Sequence, residues 1–313
     1  MKEAFLKLHL AVLIAGTTGL FGKLITLGEF PLTLYRVLFA ALIFWAIMFG
    51  VGKVQRLPFC DVLKMGGVGV LLALHWVFFY GSIKDSNLSI GGGCLSLGVF
   101  FTAIFEPLIV KRRFSIHELL FSLLTMAGIV LIFHFDTRYR FGIILGVISS
   151  ALAALFTIFN KSVSKKTGYS SSTLLLYAMT GGAVGLLVIL PFFTWAEPAV
   201  RLVPTWTDFL WLLFLSSIST LLLYWLQIQT LKVVSAFTVS LTFNLEPIYS
   251  IVLAMLFFGE AKELNMAFYC GLLLIFLSVA LQTLSVVYAS RRNKLEESGL
   301  APKNHLSSTS PGV

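Results

Sequence analysis

The chain has 313 residues, of which 58% are hydrophobic and only 12% charged, whereas soluble domains carry about 25% charged residues. So few charges cannot cover a water-soluble fold, which excludes that class. The net charge of +9 is therefore read as loop charge beside a bilayer, with no nucleic acid as partner.

Apolar runs recur along the chain, each close to the ~20 residues a helix needs to cross ~30 Å of hydrocarbon. Ten spans are predicted, at 8–27, 31–51, 62–82, 88–110, 116–134, 141–161, 171–193, 208–230, 234–258 and 266–288. The fold class is all-α, a polytopic protein with the lipid bilayer around it. The first run is too long for a signal-peptide core and is followed closely by another span, so it reads as an uncleaved helix.

Placing both termini in the cytoplasm puts sixteen Lys and Arg in inner loops against five in outer ones, the asymmetry that sets orientation. The expected location is thus integral and multi-pass, in the inner membrane if the source is bacterial. The loops are too short to hold a nucleotide-binding, receptor or catalytic domain. The polar end 291–313 reads as a disordered cytoplasmic tail. Cys60, Cys94 and Cys270 are scattered, which argues against a disulfide framework or a metal cluster, and no cofactor is expected.

Sliding the chain by 148 residues lays 82–113 over 230–261, with span lengths and loop positions in step on both sides. Five spans per half is an odd number, so the second half enters the membrane the other way up. Boundaries at 1–137 and 138–290 follow, an inverted repeat of the kind on which many secondary transporters build alternating access.

Two stretches carry a family likeness. LYRVLFAAL (34–42) has a basic residue just inside its span, and NLEPIYSIVLAMLFFGE (244–260) has an acid-proline pair followed by small and apolar residues and a terminal Gly-Glu. Together they resemble the drug/metabolite transporter superfamily, EamA type, over about 8 to 288. The resemblance implies a secondary transporter of small molecules, driven by a proton or a counter-substrate, with efflux of amino acids or related metabolites and drugs favoured, as a monomer or homodimer. The first half departs from the motif: it reads Gly98-Val99 at the matching place, and Glu106-Pro107 lies eight residues on.

Ionisable residues deep in spans are functional candidates by default. Glu246 lies near the middle of the ninth span, where a carboxylate pairs with a cation, accepts a proton or faces a watery cavity. Pro247 removes a main-chain donor beside it and Asn244 adds an amide, a kinked polar midpoint suited to substrate. Lys23 and Arg36 lie at similar depth below the outer surface. Either they snorkel outward, toward Glu29 for instance, or they form a cationic mouth for carboxylate-bearing substrates; Arg36 also matches a family-typical position. Glu106 is near enough to Lys111–Arg113 to pair with that cluster. His75 reads as a packing residue or a proton relay. With Trp76, Tyr80, Tyr177, Tyr224, Trp225, Gln227 and Asn160 it defines a candidate amphipathic cavity. Gly91, Gly92 and Gly93 are close-packing or hinge positions.

Two other function classes stand beside transport: a non-transporting sensor or assembly subunit, and an intramembrane enzyme. The second lacks a membrane-depth aspartate pair, an HExxH run, or a nucleophile with an obvious base, so no catalytic residue is assigned.

Overall fold

The computed structural model describes residues 2–111, 113–134, 139–243, 245–262 and 266–297. Helices account for all the regular structure in it, and no strand occurs among the described residues. Helices α1 (Lys2–Leu24) and α2 (Glu29–Gly50) form the first hairpin, and α3 (Phe59–Asp85) follows. α4 (Leu88–Cys94) and α5 (Leu97–Val110) form one broken span, then come α6 (Ile116–His134), α7 (Arg140–Thr167) and α8 (Ser171–Ala196). Next are α9 (Trp206–Ser216), a π-helical turn (Ser217–Leu222) and α10 (Leu223–Leu231). A second broken span, α11 (Ala236–Phe243) and α12 (Glu246–Phe258), leads through a 3₁₀ turn (Glu260–Lys262) to α13 (Met266–Glu297). α13 thus runs seven residues into the stretch expected as tail; the rest, 298–313, lies outside the described residues.

Among the described residues, eight stretches are long and apolar enough to cross a membrane, with the segments of each broken span taken together. The expected fifth and tenth spans correspond to shorter apolar stretches, Leu119–Gly128 and Met266–Ser278.

Local chemistry explains where the helices start and break. Asn87 Oδ1 accepts from the Ile90 amide (2.8 Å) and starts α4, while Thr205 and Asp208 form a capping box at α9, in each case satisfying amides that lack intrahelical partners. The first broken span tightens at 95–98, where Leu95, Ser96 and Gly98 bond only three residues back. The second tightens at the equivalent place: the Leu245 amide bonds Thr242 O (3.1 Å) and Ile248 bonds Leu245 O (3.2 Å). Between them Pro247, which has no amide hydrogen, occupies the first turn of α12, where a missing donor costs nothing.

A shift of 148 residues carries α3, α4 and α5 closely onto α9–α10, α11 and α12. Packing follows the same exchange: α1 lies against α10 and α12, as α7 lies against α3 and α5. The tightest approach is between α3 and α8. A Cβ on Gly69 would fall 1.7 Å from Ala178 O, and one on Gly181 would fall 2.1 Å from the Gly66 Cα. Lipid supplies no hydrophobic drive between helices, so close backbone contact through small residues does that work. α6 and α13 pair at the periphery, where Thr125 Oγ1 donates to Ser278 Oγ (2.7 Å).

Candidate functional site

The two helix breaks meet in the interior. There Glu246 opens α12, its carboxylate in the first turn where the helix dipole favours negative charge. It lines a cavity whose walls come from α1, α3, α5, α7, α10 and α11. Gly98 lines it too, the residue that the 148-residue shift pairs with Glu246. A Cβ at Gly98 would meet nothing within 4 Å. One half therefore offers a carboxylate and the other offers room.

His75 lines the same cavity and its ring orientation is held by α7. Its Nδ1 lies 2.9 Å from the Ser149 carbonyl oxygen and 2.8 Å from Ser149 Oγ. Ser149 Oγ also lies within donating distance of the His75 carbonyl (2.9 Å). Phe79 stacks beside the imidazole, with ring centroids 6.1 Å apart.

Trp76 and Tyr224, also in the wall, meet edge to face at 5.2 Å, and Tyr224 meets Phe156 in the same way at 5.6 Å. Behind Trp76 is Arg36, fully buried, with its guanidinium carbon 3.7 Å from the centre of the indole. Its Nε donates to Thr220 Oγ1 (2.8 Å), one terminal nitrogen to Tyr80 Oη (2.6 Å) and the other to Ser219 O (2.9 Å). The π turn makes this possible, since Ser219 and Thr220 both belong to it and its looser winding redirects the main chain. Glu246 and Arg36 act on each other electrostatically without touching.

Not all the expected residues converge here. Tyr80 is in the Arg36 cluster and outside the cavity wall. Tyr177 lies toward the end of the bundle that carries the N-terminus of α1, where its hydroxyl donates to Gln55 O (2.7 Å). Trp225 donates to Ser172 Oγ (3.0 Å). Asn160 belongs to a separate small void beside Met65. Asn244 lies outside the described residues. Of the glycines, Gly91 faces Ile83, Gly92 faces Ser250, and Gly93 has open space.

Lys23 is at the other end of the bundle, 2.5 Å from Glu260 Oε1 and 4.4 Å above the Phe258 ring. Glu260 is 1% exposed. It also accepts from the Leu88 amide (3.2 Å), the Ser89 amide (2.9 Å) and the Ser89 hydroxyl (2.7 Å), so it caps α4 while pairing with α1. Burial opposes its charge, but the hydrogen bonds from Lys23 and Ser89 outweigh that and hold the carboxyl below the usual carboxylate range. A second carboxylate, Asp208, ties the same end together: it accepts from the Thr26 amide (2.7 Å) and hydroxyl (2.8 Å). Glu260 and Gly98 were not among the expected site residues. The repeat alignment pointed to Gly98, and the Gly-Glu ending of the 244–260 motif pointed to Glu260.

Comparison with known proteins agrees with this architecture. The model of the EamA-like transporter family matches residues 3–134 and again 140–284. An uncharacterized transporter, YxxF, of Bacillus subtilis (strain 168) is 24% identical over 286 residues, covering 90% of this chain and 89% of its own. An uncharacterized transporter of Archaeoglobus fulgidus is 26% identical over 149 residues, 47% of this chain and 52% of its own. A solved crystal structure shares the fold at a TM-score of 0.65 and 17% identity, over 90% of this chain and 98% of that one. The chain belongs to the EamA-like transporter family.

Proposed function

We propose that the protein is a secondary transporter of small organic metabolites that works by alternating access about the central cavity, with Glu246 as the group that meets substrate or proton. The observation that carries this reading is a cavity at two broken helices, with a single carboxylate among its described lining residues. Interrupted helices at membrane depth are tolerated where they line such a cavity. Further support comes from the bundle ends. One is tied by the buried carboxylates Glu260 and Asp208, whereas the other carries a surface pocket beside Lys7, Trp225 and Lys232.

In this reading ten spans form two inverted five-helix repeats, 1–137 and 138–290, with both termini in the cytoplasm of the inner membrane. The driving force is a proton gradient or an exchanged counter-substrate, and the favoured task is efflux of amino acids, related metabolites or drugs. The molecule works as a monomer or homodimer. Flux measured in proteoliposomes with an imposed pH gradient tests the reading: Glu246→Gln is expected to abolish gradient-driven transport. Gradient dependence unchanged in that variant refutes the role of Glu246, and no flux of any solute in the wild type refutes transport.

A further inference from the structure

The wall chemistry of the central cavity discriminates between ligand classes. Glu246 is the only carboxylate among its described lining residues, and no Lys or Arg is among them. The two cations that the sequence offered for a carboxylate-bearing substrate are committed elsewhere. Lys23 is bonded to Glu260 at the end of the bundle. Arg36 places all three of its guanidinium nitrogens on Thr220, Tyr80 and Ser219, with the Trp76 indole against its flat face. A carboxylate entering the cavity would find no cation free to bond it, and an uncompensated charge in a low-dielectric site is costly.

Acceptors, by contrast, converge. Glu246 accepts no hydrogen bond from any described residue. Gln227, in the same wall, has a buried Oε1 without a partner. An alkylammonium group has three donors and no acceptor and complements such a set, whereas a carboxylate, which only accepts, does not. Phe79, Phe156 and Tyr224 supply apolar and π surface for the rest of the ligand.

We propose that the central cavity takes primary amines, as ammonium cations with an apolar or aromatic body. The ammonium bonds Glu246 and Gln227, and the body lies against the aromatic wall. This rests on the cavity being the substrate site proposed above, and among the solutes named there it favours amines over amino acids, whose carboxylate would be left unpaired.

Calorimetric titration of the purified protein in detergent with three probes of one shape, 2-phenylethylamine, 2-phenylethanol and 3-phenylpropanoate, tests it. The amine is expected to bind about tenfold or more tighter than the other two. Glu246→Gln is expected to remove that advantage while changing the affinity for the alcohol less than about twofold. Should this variant not fold, the wild-type order alone decides. Equal binding of amine and alcohol, tighter binding of the carboxylate, or no saturable amine binding at about millimolar concentration overturns the proposal. Amine binding without amine flux would remove the transport reading and leave this one standing. Flux of another solute with no preference for amines would do the reverse.

Discussion

Replacing Glu260 by alanine removes one acceptor that serves two helices at once. Its partners are Lys23 Nζ on α1, the Leu88 and Ser89 amides that begin α4, and the Ser89 hydroxyl, at 2.5, 3.2, 2.9 and 2.7 Å. Losing a helix cap costs about 1 kcal/mol, and a hydrogen bond to a charged group contributes about 1.5–3 kcal/mol. Partial recovery offsets some of this, because the Lys23 side chain is 33% exposed and can turn to water. The expected loss is therefore about 2–4 kcal/mol. Lys23→Ala leaves Glu260 with its three bonds to α4 and is expected to cost only about 1 kcal/mol. In the double variant no lysine is stranded, so its loss should fall short of the sum by about 1 kcal/mol. Denaturant titration in detergent micelles measures all four proteins. A Glu260→Ala loss below about 0.5 kcal/mol, or additivity within about 0.3 kcal/mol, would refute the reasoning. The pH dependence has a definite sign. The folded-state pKa is depressed, so the stabilisation is fully present above the ordinary value of 4.5 and is lost as pH falls through the lower folded value. The stability gap between wild type and Glu260→Gln should accordingly narrow below that pH.

Two further outcomes follow from the packing and the topology. Gly69→Ala would drive a methyl into the Ala178 main chain, 1.7 Å from its oxygen, whereas Gly67→Ala meets nothing within 4 Å. The first should lower the midpoint of thermal unfolding sharply, and the second should hold or raise it, gaining up to about 1 kcal/mol from helix propensity; equal effects would overturn the tight α3–α8 approach. Reporter fusions at Val313 and within 197–205 are expected to report cytoplasm and exterior respectively, and the opposite pattern would invert the proposed orientation.

Composition made the all-helical membrane class legible, because a bilayer leaves few architectures to a chain this apolar. The spacing of spans made the repeat legible too, and α4 and α5 map onto α11 and α12 through it. Glu246 could be singled out because a carboxylate in an apolar run needs a reason. Its repeat mate in the same wall could be read only through the repeat, since Gly98 contributes nothing but space. The partner of Lys23 could not be read: Glu260 is 237 residues away in sequence and outside every span, while the nearer Glu29 was the evident choice. Tyr177 and Tyr224 lie in similar apolar runs, and only packing sends one to Gln55 at the bundle end and the other to the cavity. The stretch SISTLL announces no π turn, because its apolar residues fit an ordinary helix as well.

That turn acts as a phase shifter. An α-helix advances about 100° per residue, and a π turn spreads its winding over one residue more. The face presented by Leu223–Leu231 is thus rotated relative to that of Trp206–Ser216. Before the turn Asp208 addresses the Thr26 loop; after it Tyr224 and Gln227 address the cavity. A helical wheel drawn straight through this span would assign its two ends to the wrong neighbours. Deleting one residue between 217 and 222 would let the turn close as an ordinary α turn, leaving the later side chains on their targets but removing the turn that presents Ser219 and Thr220 to Arg36, so the seat of that cation depends on a count of residues as much as on their kind.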